Sequence, residues 1–350
     1  MTKWDKDYID LVKRIREFGY TEDNDRTGDG TWSVTGAMIE HDMALGFPLL
    51  TVKYVPWKLI FGETEFFLKG KHDKNWLKDH PFKIKIWNEW GDQEVVNAHI
   101  RAQEAFRFHA STNTDPDVIP SCFKMTDDEK KELQAKINQL GPVYGVQWRR
   151  FNHAYDPNNL DETKVTLKQK AMNFFLKLGG IEPVDQLQNL VDMLKSGKSS
   201  RRMYVTAINP SQEKNQALPP CHTYWQVIRR GNKLDLLFFM RSTDVFLGLP
   251  FNMASYALIL SLLCNETGDT PGKVIYMGAD VHLYQTHTEA IDILLTREGK
   301  DTYPTLKVDE GATVMNFDAY FPGTIVDKDI CSAHVDGYEY EKSIKAKVSI

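Results

Sequence analysis

Tyr8, Ile9, Leu11, Val12, Ile15 and Phe18 recur at helical spacing, and the Gly-rich run Asp25-Arg26-Thr27-Gly28-Asp29-Gly30-Thr31 after them reads as a turn. Phe47-Pro48-Leu49-Leu50-Thr51-Val52 predicts a strand, and Trp57 to Leu68 predicts a mostly apolar helix interrupted by Glu63, Thr64 and Glu65. Polar positions dominate from Asp92 to Leu140, where Ser111 to Pro120 reads as loop and Asp127 to Leu140 as a charged amphipathic helix. A second polar stretch, Asn152 to Gln169, precedes a helix from about Pro183 to Leu194 that carries Leu187, Leu190, Val191 and Leu194 on one face. Farther on, Met203 to Ile208, Tyr224 to Ile228 and Leu234 to Met240 are strand-like, and Asn252 to Leu263 is a long apolar helix. With no repeat, P-loop or dinucleotide fingerprint, the pattern predicts one α+β domain carrying polar insertions at about 93–139 and 152–182.

Composition narrows the class. The chain has 350 residues and is 42% hydrophobic, enough for a full core. A net charge of -5 argues against a surface that coats nucleic acid. The N-terminus lacks an apolar signal core, and no stretch approaches the roughly 20 apolar residues of a bilayer span, so neither export nor membrane insertion is expected. Cys122, Cys221, Cys264 and Cys331 are scattered without zinc-ligand or disulfide-scaffold spacing, which points to a reducing cytoplasm and to no structural metal.

The candidate chemistry begins at Leu218-Pro219-Pro220-Cys221-His222, where a rigid turn sets a thiol just before a strand. A lone cysteine is more often an inert small hydrophobe than a nucleophile. Arginines change that balance: Arg201 and Arg202 open one strand and Arg241 closes another, and guanidinium groups gathered near a thiol both bind phosphate and favour thiolate.

Arg26-Thr27-Gly28, Phe47 through Thr51, Ile86-Trp87-Asn88-Glu89-Trp90, Leu140-Gly141-Pro142-Val143-Tyr144-Gly145 with Trp148-Arg149, Ser200-Arg201-Arg202, Leu218 through His222, Arg241 through Asn252 and Asp280-Val281-His282-Leu283-Tyr284 follow one another in an order that resembles the thymidylate synthase family over nearly the whole chain. The resemblance implies a large mixed sheet flanked by helices and a homodimer packed through that sheet. It implies that Cys221 attacks C6 of dUMP and that C5 then captures the one-carbon unit of 5,10-methylenetetrahydrofolate. Arg241, Arg26 and Ser242 would grip the 5'-phosphate, with Arg201 and Arg202 reaching across from a second subunit. Asn252 would read the uracil edge, and His282 and Tyr284 would meet the ribose 3'-hydroxyl. Glu63 would move protons through water, with Tyr144 and His222 completing its polar network. Asp244 would hold the pterin, Trp87, Trp90, Leu247, Gly248 and Phe251 would form the cofactor wall, Lys53 would meet the folate's glutamate tail, and Ile350 would end a closing C-terminal lid. Read without the resemblance, Asn252 is a helix N-cap and the tryptophans are ordinary core.

Thr64 and Glu65 after Glu63, Tyr54, Asn88, Met240, Ala279, Lys347 and Ser349 depart from the family pattern. They leave two fates for the methylene intermediate: hydride transfer to give dTMP, or addition of water to give 5-hydroxymethyl-dUMP, as in phage-type hydroxymethylases. Retention of Trp87, Trp90, Leu247-Gly248 and the Ile-terminated tail favours reductive methylation. A catalytically inactive nucleotide-binding protein is a third reading, disfavoured by the joint presence of Cys221, Glu63 and Asp244.

Overall fold

In the computed structural model, which describes residues 1–22, 29–88, 100, 104, 124–156, 164–319 and 332–347, the opening periodicity forms helix α1 (Lys3–Phe18). Thr2 caps it by accepting from the Asp5 N–H, and the Asp5 carboxylate accepts in return from the Thr2 N–H and hydroxyl. The same buried carboxylate accepts from the Thr51 N–H at 2.7 Å and the Val52 N–H at 3.2 Å. The strand predicted over Phe47 to Val52 is therefore absent. Donors that a ladder would use go to Asp5 and, from Phe47, to the Pro304 carbonyl.

The chain continues through β1 (Tyr20–Glu22), β2 (Thr31–Asp42), α2 (Trp57–Leu68), α3 (Lys74–Asp79), α4 (Asp127–Ile137), α5 (Tyr144–Arg150), α6 (Leu167–Leu178), α7 (Gln186–Lys195), β3 (Tyr204–Thr206), β4 (His222–Arg230), β5 (Lys233–Asp244), α8 (Gly248–Thr267), β6 (Thr270–Tyr284), α9 (Thr288–Leu295), β7 (Thr305–Val308) and β8 (Ala333–Asp336). Strands β2 and β6 were not legible in the sequence pattern, although they are long strands of 12 and 15 residues that pair with each other. β2 alternates poorly, with Thr35, Gly36 and Met38 all exposed.

Six strands make one mixed sheet in the order β1-β2-β6-β5-β4-β3. Among the described strands only the β5–β6 pair is parallel, and α8 supplies the crossover between them. One sheet face is covered by helices: Leu234, Leu236, Phe238 and Met240 of β5 point inward with Val274 and Tyr276 of β6, against Met253, Tyr256, Ala257 and Leu260 of α8. The apolar helix expected over Asn252 to Leu263 is longer at both ends: at 20 residues, α8 is apolar and long enough by composition to cross a bilayer, a length the pattern did not suggest. Its burial at the centre of the core accounts for that composition. The other sheet face carries an apolar stripe in cross-strand register, Met38 beside Met277, Met277 beside Phe239, and Phe239 beside Tyr224.

Helices α4 and α6 occupy the two polar stretches. Of α4 only Leu133 is buried, and of α6 no residue is. Asn173 and Gln169 hold α6 to the body through the Ala154 backbone, at 2.7 and 3.4 Å. The second stretch thus contains a capped helix where the sequence reading placed none: Thr166 is its N-cap.

Helices α2 and α5 meet at Gly145, where an added Cβ would fall 2.0 Å from the Phe67 carbonyl oxygen. Only a residue without a side chain permits that approach. We expect Gly145→Ala to cost about 1–3 kcal/mol, read as a lower urea midpoint at unchanged slope. An unchanged midpoint would mean that the two helices are not held this closely.

Candidate active site

Cys221 is half-buried at the entry to β4 and is fixed by its backbone on both sides. Its N–H donates to the Tyr144 hydroxyl at 2.8 Å, and its carbonyl accepts from the Arg241 N–H at 2.9 Å. The Arg241 guanidinium turns back onto the same loop, donating to the carbonyls of Pro219 at 2.7 Å and Pro220 at 3.0 Å. The Pro-Pro-Cys turn and the arginine expected to serve it are therefore one bonded unit. Pro220 has no N–H to compete for these contacts.

Tyr144 begins α5 with φ at +27°, a strained value for a residue with a side chain. That backbone places its ring flat on the His222 imidazole, with centroids 4.1 Å apart. His222 Nδ1 lies 2.8 Å from the hydroxyl of Tyr256, a core residue of α8. Burial pushes the His222 pKa down to about 3, so the ring is neutral at physiological pH. Burial likewise raises the Tyr144 phenol well above its usual range, so it acts as a hydrogen-bonding phenol rather than an anion.

Glu63 lies inside α2, and its Oε1 accepts from the Trp87 indole N–H at 2.7 Å. Burial raises its pKa to about 7, with the Trp87 bond pulling the other way. A carboxyl poised there exchanges a proton readily near neutrality. Trp87 thus carries a polar duty beside its apolar one. It also stands edge-on to Tyr144, centroids 6.1 Å apart, which links the acid to the Cys221 support.

The parallel pair sets the third group. Asp244 ends β5 opposite His282 of β6, and its Oδ1 accepts from the N–H groups of Phe246 at 2.9 Å and Leu247 at 3.0 Å. This Asx turn launches α8, so Leu247, Gly248, Phe251 and Asn252 are presented around its first turns, all partly exposed. Asn252 is not the helix cap: the helix begins four residues earlier and its N-cap is Leu247, which removes the capping explanation for Asn252. His282 Nδ1 is 3.5 Å from Asp280 Oδ1, and that contact, with Ser33 and Arg241 nearby, holds the Asp280 carboxyl below its ordinary range. Ser242 pairs with Asp280 in the ladder, and Tyr284 packs edge-on to His282 at 5.1 Å.

Lys53 is placed differently from the expectation. Its ammonium is buried, donates to the Phe246 carbonyl and sits 4.0 Å above the Phe246 ring, so it supports the Asp244 turn from inside. Burial lowers its pKa to about 7, against the pull of Asp244. The Asp5 anchor on Thr51 and Val52 holds this segment in. Arg201 and Arg202 are exposed on the turn before β3. The Arg201 carbonyl is bonded to Gln226, five residues along β4 from Cys221, or about 16 Å at roughly 3.3 Å per residue. Arg26, Trp90 and Ile350 lie outside the described residues.

Three contributors escaped the sequence reading. Tyr256 is indistinguishable from core in an apolar helix, and Asp280 stands in a quoted motif but was given no role. His287 is buried between Phe246 and Tyr284, and its Nε2 lies 2.6 Å from the Lys347 carbonyl, tying down the approach to the C-terminus. The tail also docks upstream, where the Glu341 N–H donates to the Thr51 carbonyl at 2.7 Å. Among the described residues, no group of three or more His, Cys, Asp or Glu side chains is arranged to hold a metal ion.

The departures near Glu63 are also accounted for. The Glu65 carboxylate accepts from Lys69 at 2.6 Å and from the Ala319 N–H at 2.6 Å, with His80 at 3.4 Å. Those partners hold its pKa down despite burial. The Thr64 hydroxyl donates to the Ile60 carbonyl one turn back at 2.8 Å. Tyr54 packs against Tyr340 of the tail, with centroids 4.7 Å apart.

The mixed sheet's parallel pair and neighbouring loops thus gather a cysteine, a buried glutamate, a neutral histidine and an arginine, groups of the kinds that enzymes use for nucleophilic attack, proton transfer and anion binding. The family profile described as thymidylate synthase matches residues 6–350. The thymidylate synthase of Listeria monocytogenes serovar 1/2a is 34% identical over 352 residues, covering 99% of this chain and all of the relative, and that of Listeria innocua serovar 6a is 34% identical with the same coverage. The chain belongs to the thymidylate synthase family, enzymes that transfer a one-carbon unit to dUMP with methylenetetrahydrofolate as co-substrate.

Because Glu63 titrates near pH 7 when folded and near 4.5 when unfolded, between those values the folded chain holds a proton that the unfolded chain has released. Its contribution to stability is full below about pH 4.5 and is lost as pH rises to about 7. We expect Glu63→Gln, which cannot ionise, to remove a fall of at most about 3 kcal/mol, measured by urea titrations across that window. A wild-type-minus-variant difference that stays flat with pH would refute the raised pKa.

Proposed function

We propose that this protein reductively methylates dUMP to dTMP through a covalent bond from Cys221 to C6 of the pyrimidine. The observation that carries the reading is the assembly around Cys221: its N–H on Tyr144, its carbonyl on the Arg241 backbone, and the Arg241 guanidinium folded onto its own turn. A cation held on the thiol's own turn favours thiolate, which is the attacking form. Addition at C6 makes C5 the carbon nucleophile. Methylenetetrahydrofolate, when bound, supplies the one-carbon unit and then the hydride. Asp244, Leu247, Gly248 and Phe251 offer it a carboxylate beside a half-buried apolar face, and Trp87 completes that wall.

Proton movement falls to Glu63, poised near pH 7, acting through water with the neutral His222 and the Tyr144 hydroxyl beside it. Asn252, freed from capping, accepts from uracil N3–H and donates to O4. Arg241, Ser242 and Arg26 take the phosphate, and His282 and Tyr284 take the ribose. The distance of Arg201 and Arg202 from their own Cys221 and the apolar stripe Met38, Met277, Phe239 and Tyr224 support a homodimer that joins sheet to sheet and lends these arginines to the partner's site. Location in the cytoplasm is part of the same reading.

Hydration of the intermediate, giving 5-hydroxymethyl-dUMP, was the alternative raised by Thr64 and Glu65. Both side chains find their partners within the protein, so neither is left to order a reactive water, and reduction is favoured. Incubation with dUMP and methylenetetrahydrofolate should yield a methylated nucleotide by mass and dihydrofolate by absorbance. A hydroxymethyl product with tetrahydrofolate would replace reduction by hydration. Cys221→Ala should lose turnover altogether, and Glu63→Gln at least about a hundredfold in kcat. Turnover persisting in Cys221→Ala would remove the covalent step.

A further inference from the structure

The C-terminal segment is held to the body at two places. At the first, the Glu341 N–H donates to the Thr51 carbonyl at 2.7 Å, and the Arg297 guanidinium donates to the carbonyls of Val52 and Lys342. Beyond it Ile344 and Ala346 pack, partly buried, against the core, while Lys345 and Lys347 are exposed. The second place is the Lys347 carbonyl, 2.6 Å from Nε2 of His287. A carbonyl can only accept, so the imidazole donates there. An apolar side chain would fill the position of His287 equally well, since its ring is 1% exposed between the rings of Phe246 and Tyr284, at 5.4 and 5.6 Å. Its Nδ1 is buried with no hydrogen-bond partner among the described residues, a cost that any unpaired polar atom carries in a core. The bond to the tail is what histidine supplies here and leucine would not.

The other face of the ring gives that bond its consequence. Phe246 belongs to the Asp244 turn: its N–H donates to the Asp244 carboxylate at 2.9 Å, its carbonyl accepts from Lys53, and its ring lies 4.0 Å from the Lys53 ammonium. The turn is tied to β6 by the Val245 N–H, which donates to the His282 carbonyl at 2.9 Å, and His287 comes just after β6 ends at Tyr284. We propose that His287 is a positioning residue for the folate co-substrate. Bonded to the Lys347 carbonyl and packed on Phe246, it sets the tail against the Asp244 turn and completes the folate side of the site. The inference rests on the functional reading above, in which Asp244, Leu247, Gly248 and Phe251 receive the folate. The pyrimidine contacts of that reading, through Cys221, Arg241 and Asn252, do not run through the tail. Loss of the tether therefore weakens folate binding and spares dUMP.

The test compares two variants of the full-length protein. His287→Leu keeps apolar packing on Phe246 and Tyr284 but removes the donor, and His287→Gln restores a donor of similar reach. Trypsin cleaves after lysine, so the tethered Lys347 carbonyl is itself a scissile group. Release of Val348-Ser349-Ile350 from the ligand-free protein, followed by mass spectrometry, should be about tenfold faster in His287→Leu and near the wild-type rate in His287→Gln, with unchanged far-ultraviolet circular dichroism. In steady-state kinetics, His287→Leu should raise KM for methylenetetrahydrofolate about tenfold and leave KM for dUMP within about twofold, and His287→Gln should restore the folate KM. A wild-type cleavage rate or a wild-type folate KM in His287→Leu would overturn the proposal. So would an equal rise in both KM values, or a glutamine variant no better than leucine. Absence of dUMP turnover in the wild type would instead overturn the functional reading, and this role for His287 with it, leaving the protease rates to decide the tether alone.

Discussion

Parallel pairing of β5 with β6 is the constraint on which the candidate site depends. Two neighbouring parallel strands require a crossover, here α8, and the crossover must start where β5 ends. Parallel pairing also brings the Asp244 turn, the first turns of α8 and the end of β6 together at the C-terminal end of these two central strands. It aligns Asp244 with His282 and Ser242 with Asp280 by register alone. The antiparallel β4–β5 pair then sets His222 opposite Met240, so Cys221 arrives beside Arg241. Residues scattered from 221 to 284 meet because the ladder leaves them no alternative.

Burial tunes the groups so assembled in opposite directions. The same low-dielectric surroundings raise Glu63 toward neutrality and push His222 far below it, because each loses solvation of its charged form. The result is a carboxyl able to hold or release a proton near pH 7 and, beyond Tyr144, an imidazole fixed as neutral. Such a division of roles needs no additional charge, only position within the core. Lys53 follows the same rule, and its buried ammonium stabilises the Asp244 turn from beneath. Tyr144 carries backbone strain, and its positive φ accompanies the stacking of its ring on His222 while its hydroxyl receives the Cys221 N–H.

The tail and the segment around Thr51 to Val55 form one layer over this arrangement. Asp5 fixes Thr51, the Thr51 carbonyl receives Glu341, the Tyr338 hydroxyl donates to Leu50 and accepts from Val55, and His287 meets Lys347. Polar residues that look out of place in sequence, Glu65 and Thr64 among them, are in fact internally bonded. Polarity in a sequence therefore did not mean access for water.

How much was legible beforehand follows from the range of the forces involved. Helical periodicity revealed α1, α2 and α7, and alternation revealed β4 and β5, because burial of one face leaves a local mark. It failed at β2, whose faces are both partly exposed, at β6, and at Phe47 to Val52, whose donors are taken by a carboxylate 46 residues away. Cys221, Glu63, Arg241 and Asp244 were visible as residue types in recognisable order. Their partners were not: Tyr256 and His287 carry no local signature, and Lys53 gave no hint that it would turn inward. The sequence by itself determined which chemical groups are available and which segments with one buried face are helix or strand. Only the tertiary structure decided their protonation and their partners, because desolvation and hydrogen bonding between distant segments exist only once the core has closed.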